Sequence, residues 1–259
     1  MLYWHDRSSL PDILRPGHKD RRILLPRSQL TTTTQHPSYK TLYLKTGRST
    51  YKPGLYHGRK CYNRSMMNYP YEIKETDKSC FPLYDQVSMN VDVRSEYRVS
   101  LIDGGLGGLQ FEEVPVTPYI KDLSGYEEAS KYEEMFDIST WRFFMAFDGE
   151  KPIGAMTIAG TTEGMNMLGG RKDACVLWDI RVADGYKHKG IGQKLLDQGI
   201  AAAREDGYKV MIIECQNNNV PACKFYRKQG AILTKVDTKA YASEPEIADE
   251  IQFVWELGL

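Results

Sequence analysis

The chain is poor in the side chains that bind metals and build disulfide frameworks. Beyond residue 57 a single histidine remains, His188, and the five cysteines (Cys61, Cys80, Cys175, Cys215 and Cys223) are an odd number at wide spacings with no CxxC pair. Zinc sites and disulfide scaffolds draw on closely spaced Cys and His. Neither is expected here, no metal is assigned, and a reducing cytoplasm is the default location. Long apolar runs are missing as well: no stretch reaches the roughly 20 apolar residues of a membrane helix, so no membrane partner is expected.

Glutamate is absent from the first 71 residues. Residues 1–66 hold 13 Lys+Arg against 3 Asp, which leaves 21 against 31 for the rest, so a basic leader near +10 precedes a body near −10. The leader shows neither helical nor strand period for long and is read as disordered. An Arg-rich, acid-poor start fits an organelle transit peptide or a nucleic-acid-binding arm. The preferred expectation is an upstream extension before a start at Met66 or Met67, because the composition changes there, with a folded domain over 67–259 that takes no nucleic acid.

From Tyr69 the sequence becomes regular. YEIKETD alternates as a strand does and ends at Thr76-Asp77, a helix cap before KSCFPLYDQV, where Pro82 keeps the helix short. SEYRVSLIDGGLGGLQFEEVP reads as two extended stretches around a glycine turn. A phosphate loop is disfavoured there, since no helix start or Lys-Ser/Thr pair follows. Residues 122–137 have the composition of an exposed acidic helix, either a wall attracting cations or an ordinary solvated face. Strands at 141–147 and 152–159 flank the tight turn Asp148-Gly149.

The second half carries the chemistry. ACVLWDIRV (174–182) is apolar on both faces and reads as a central strand. A glycine loop then leads into an amphipathic helix with Ile191, Leu195, Leu196 and Ile200 on one stripe. Free N–H groups at a helix start suit a phosphate; Gly190 and Gly192 open the backbone to it, and Lys187, His188 and Lys189 add charge at the rim. KVMIIEC (209–215) is a second buried strand, followed by a helix that starts at Asn219-Val220-Pro221. Asn217, Asn218 and Asn219 either cap that helix or mark a place where adjacent strands splay and leave polar groups for a ligand.

KHKGIG followed about thirty residues later by NVPACKFYRKQG resembles the acetyl-CoA-binding core of the GNAT N-acetyltransferases. Within that superfamily, ECQNNNVPACKFYRKQG, the tail AYASEPEIADEIQFVWEL and TPYIKDLSGYEEASKYEEMFD resemble the streptothricin acetyltransferases. The likeness covers roughly residues 70–259 and gives no support to residues 1–66. It implies an α/β fold: a mixed, mostly antiparallel twisted sheet flanked by helices, with splayed central parallel strands and a last pair of strands at AILTKVDTKAY and EIQFVWEL. It implies acetyl-CoA as cosubstrate. The pyrophosphate would lie on Lys187, His188, Lys189, Gly190, Ile191 and Gly192, with Lys187 where the family usually has Arg or Gln. Because Lys lacks the planar fork of Arg, more reliance on backbone contacts is expected. Asn219, Ala222 and Phe225 would border the thiol end, and the N–H groups of Ile180 and Val182 would face the acetyl carbonyl and pantetheine.

Amide formation needs a neutral amine, a stabilised oxyanion and a proton for the departing thiolate. By resemblance Tyr226 is the general acid. Asp179 and Glu214, carboxylates on otherwise apolar strands, compete as the base. Arg181 is an obvious partner for Asp179, Glu214 is preferred, and water relayed to bulk is a third route. The acidic body favours a polycationic amine, and the resemblance favours streptothricin for antibiotic resistance. An aminoglycoside, a polyamine, a lysine-rich peptide or a non-catalytic acetyl-CoA-binding regulator are the alternatives. The oligomeric state, a homodimer included, is left open.

Overall fold

The computed structural model describes residues 70–126 and 128–259. The basic leader 1–66 and the expected boundary beside it lie outside the described residues. A seven-stranded sheet runs in the order β1-β4-β5-β6-β7-β9-β8, built from β1 (Glu72–Thr76), β4 (Arg142–Asp148), β5 (Lys151–Ala159), β6 (Ala174–Val182), β7 (Val210–Gln216), β8 (Ile232–Asp237) and β9 (Gln252–Gly258). β6 and β7 pair in parallel and every other neighbour is antiparallel. This is the mixed, mostly antiparallel sheet expected. A separate hairpin joins β2 (Asn90–Ile102) to β3 (Gly108–Asp122).

Local chemistry explains most boundaries. Asp77 accepts from the Ser79 N–H at 2.8 Å and caps a 3-10 turn, and Pro82 sits in the first turn of the four-residue helix α1 (Phe81–Tyr84). At the β2–β3 turn, Asp103, Gly104, Gly105 and Gly108 all have φ between +49° and +99°, so the glycines serve a hairpin. Residues 122–137 do not form the continuous exposed helix their composition suggested. They break into 3-10 turns and the short helix α2 (Tyr132–Met135), because Leu123, Ala129, Tyr132 and Phe136 are drawn into the core.

Two apolar layers cover the sheet. On one face α3 (Ile191–Glu205) and α4 (Val220–Lys228) pack through Ile191, Leu195, Leu196, Cys223 and Tyr226 against Leu177, Ile213 and Cys215. On the other, Phe81, Tyr84, Tyr132 and Phe136 meet Val176, Trp178, Ile212 and Val254. The α3 start lies close on β5: a Cβ at Gly154 would sit 3.0 Å from Ile191 and 3.1 Å from Leu195. That approach fixes the helix N-terminus beside the end of β6.

Candidate active site

The site begins where β6 and β7 part. Their ladder runs only from Ala174–Val210 to Leu177–Ile213; beyond it β6 continues on β5 alone and β7 on β9 alone. The β5–β6 register skips Trp178, a bulge that bends β6 at this point. The Ala183 N–H donates to the Ile153 carbonyl of β5. Alternation along the strand therefore turns the Ile180 and Val182 N–H groups toward the gap. A cavity of about 560 Å3 fills the opening, lined by both strands, the α3 and α4 starts and the chain entering β2.

On the α3–α4 side the loop residues converge. Gly190 is the α3 N-cap at φ +83°, no side chain caps that end, and a Cβ at Gly192 would make only an ordinary 3.6 Å contact with Val182. The first-turn N–H groups thus face the cavity with open space before them, which fits an anion. Lys187 differs from its expected role: its Nζ donates to the Asn90 carbonyl and to Asp184, each at 2.7 Å, so the ammonium ties the loop to β2. Lys189 lies 5.0 Å from the centre of the Tyr186 ring, and His188 takes φ +63°. Asn219 caps α4, its Oδ1 accepting from the Ala222 N–H at 3.2 Å. Ala222, Phe225 and Tyr226 line the cavity beyond it. Burial, reinforced by Cys215, Cys223, Asp179 and Glu214, pushes the Tyr226 phenol well above the ordinary tyrosine value, so it keeps its proton at neutral pH.

The two carboxylates lie on the opposite side and differ. Asp179 is wholly buried and its Oδ2 accepts from Tyr84 Oη at 2.9 Å, Arg181 Nε at 2.6 Å and an Arg181 terminal nitrogen at 2.5 Å. Burial alone would lower the Arg181 value, but Asp179 and Tyr84 hold it above the ordinary range. Asp179 is thus the carboxylate of a buried ion pair. Glu214 has no cationic partner among the described residues. Its Oε1 accepts from Tyr241 Oη and, at 3.2 Å, from Gln216 Nε2, while its buried Oε2 has no hydrogen-bond partner among the described residues. The gap between the strands connects it to the Tyr226 side, since both line the same cavity.

The asparagine run has three separate jobs. Asn217 bonds the hairpin and β9 together, donating Nδ2 to the Tyr97 carbonyl at 3.1 Å and accepting from the Ile251 N–H at 2.9 Å. Asn218 donates to Tyr119 Oη and Glu250, and Asn219 is the helix cap. Sequence reading missed Tyr241, Gln216 and the β2 start as site residues. Only the tail resemblance hinted at Tyr241, which lies 27 positions from Glu214.

A mixed sheet whose central parallel strands part beside a glycine-capped helix is the fold of the GNAT acetyltransferases. Residues 111–231, just under half of the chain, match the family described as Acetyltransferase (GNAT) family. Parts of the chain are similar to streptothricin acetyltransferases. Streptothricin acetyltransferase A of Bacillus subtilis is 40% identical over 77 residues, which are 30% of this chain and 44% of that protein. The Escherichia coli streptothricin acetyltransferase is 24% identical over 163 residues, 63% of this chain and 82% of that one. A Bacillus anthracis protein assigned as a streptothricin acetyltransferase, solved with acetyl coenzyme A, superimposes with a TM-score of 0.59 at 22% identity, over 73% of this chain and 99% of that chain. The chain thus spans under half of the first relative's length. Among the described residues, no helix is long and apolar enough to cross a membrane.

Proposed function

We propose that this chain transfers the acetyl group of acetyl-CoA to a primary amine of a polycationic small molecule, with streptothricin as the preferred acceptor. The observation that carries the reading is the parting of β6 and β7 with a protonated tyrosine lining the gap from one side and a carboxylate from the other. The α3 N-terminus, at Gly190, Ile191 and Gly192, would hold the pyrophosphate mainly by backbone N–H groups. Lys187, His188 and Lys189 border it, with Lys187 acting through the loop it ties down. Ile180 and Val182 would offer N–H groups to the pantetheine and the acetyl carbonyl, and Asn219, Ala222 and Phe225 would flank the thiol.

Acetyl-CoA supplies a thioester carbon and a thiol leaving group. The amine nitrogen bonds to that carbon as the carbon–sulfur bond breaks. Glu214 Oε2 takes the proton the amine loses, and the Tyr226 hydroxyl gives one to the sulfur. Asp179 is assigned to holding Arg181 and α1, which leaves Glu214 as the base. The acceptor class rests on charge: the body is near −10, and Glu244, Glu246 and Glu250 gather about Tyr126.

The test is thiol release from acetyl-CoA by the full chain, with streptothricin, an aminoglycoside, a polyamine and a lysine-rich peptide as acceptors. Turnover on streptothricin alone is the expected result. Turnover on another of the four replaces the acceptor and keeps the chemistry. Acetyl-CoA binding without turnover on any amine would favour a non-catalytic regulator.

A further inference from the structure

Glu214 is held unevenly, and one of the two groups that hold it lies outside the segment matched by the family. Tyr241 belongs to the connection between β8 and β9, past residue 231 where the match ends. It is fully buried, and its hydroxyl donates to Glu214 Oε1 while accepting from Gln216 Nε2 at 3.4 Å. Gln216 Nε2 donates to the same carboxylate oxygen at 3.2 Å. Two donors therefore fix Oε1, and Oε2 is the oxygen left bare in a buried place. A buried acceptor without a partner is costly, and more so when it is charged. The orientation persists because the connection is anchored elsewhere: Lys121 bonds Glu250 at 2.5 Å, Asn218 bonds it at 2.9 Å, and the Glu244 N–H donates to the Tyr241 carbonyl at 2.9 Å.

We infer that Tyr241 is a positioning residue for acetyl transfer: with Gln216 it clamps one oxygen of Glu214 so that the other faces the attacking amine. This rests on the assignment of Glu214 as base. Rotation of the carboxylate about its last bond would exchange the two oxygens, and the clamp removes that freedom before the amine arrives. Tyr241 does not itself line the cavity, so the clamp is expected to act on turnover through Glu214 and not on cosubstrate binding.

A double-mutant cycle on the full chain with streptothricin as acceptor tests this, using Tyr241→Phe, Glu214→Gln and the pair. Tyr241→Phe keeps the buried ring and removes one hydroxyl. It is expected to lower kcat about tenfold, a fraction of the 10²–10⁴ a general base contributes, with KM for acetyl-CoA unchanged. In the Glu214→Gln background the same change is expected to cost less than about twofold. Gln216→Leu, which removes the second donor, is expected to lower kcat in the same direction. Equal fold losses from Tyr241→Phe in both backgrounds overturn the inference, as does a rise in KM for acetyl-CoA with kcat intact. A large loss in Glu214→Gln with none in Tyr241→Phe overturns the inference alone. Full turnover in Glu214→Gln overturns the base assignment, and the clamp with it.

Discussion

Replacing Asp179 with asparagine separates a structural acid from a catalytic one. Three hydrogen bonds end on Asp179 Oδ2, and neither it nor Arg181 has more than 1% of its side chain exposed. Asn keeps the shape but removes the charge opposite a buried guanidinium. Breaking a buried ion pair on one side costs about 3–5 kcal/mol. That is a large part of the 5–15 kcal/mol that holds a typical domain. With a urea slope of ~2 kcal/mol per molar, the midpoint should fall by about 1.5–2.5 M. The assay is urea unfolding followed by tryptophan fluorescence, since the Trp141 and Trp178 rings lie 5.1 Å apart, tilted to each other, in the affected layer. Glu214→Gln, whose amide oxygen can still accept from Tyr241, should stay within about 1 kcal/mol of the parent. An unchanged midpoint in Asp179→Asn together with lost turnover would refute the assignment and return Asp179 to the role of base.

Five further results are expected. Tyr226→Phe should lower kcat by about 10²-fold or more with little change in acetyl-CoA affinity, read from steady-state kinetics and a binding titration. Gly190→Ala should destabilise by about 1–2 kcal/mol because residue 190 sits at φ +83°. Gly192→Ala, with only a 3.6 Å contact to meet, should leave the thermal midpoint unchanged while raising KM for acetyl-CoA; the reverse pattern would contradict the anion site. Stability should hold up to about pH 10 and then fall, because Tyr84, Tyr226 and Tyr241 are raised by burial and bind protons the unfolded chain releases. At about 1.4 kcal/mol per group, pH 11 should cost roughly 4 kcal/mol in urea melts; a flat profile through pH 11 would refute it. Burial pushes the Cys175 thiol up to about 12 and the Cys215 thiol well above its ordinary value. Mass mapping after alkylation at pH 8 should therefore find Cys80 modified and Cys175 and Cys215 intact.

Much of the fold was legible because it rests on neighbours in sequence. Asp77 and Asn219 cap the turns that follow them, Gly149 and the glycines at 104–108 sit in tight turns, and Gly190 starts a helix at a positive φ. Alternation identified β1, the Asp148-Gly149 turn set β4 and β5 on either side of it, and apolar runs identified β6 as central and β7 as a second buried strand. The acidic segment 122–137 was misread because its charge count concealed the burial of Tyr132 and Phe136, which depends on Trp141 and Trp178 from other elements.

The sequence by itself determined the caps, the glycine loop, the strand–helix order and the two short motifs that carry the resemblance, each written in spacings of a few residues. Tertiary structure alone decided what each polar side chain does. Asp179 and Glu214 look alike as lone acids on apolar strands. Arg181 and Tyr84, the latter 95 positions away, make one the acid of an ion pair, whereas the other, held by Tyr241, 27 positions away, and Gln216, has no cationic partner among the described residues. Adjacent asparagines divide likewise, since Asn217 meets Tyr97 and Asn218 meets Tyr119 only once the hairpin has docked. The physical reason is that hydrogen bonding and desolvation act over a few ångströms of space, and which groups come that close is set by the packing of the whole sheet.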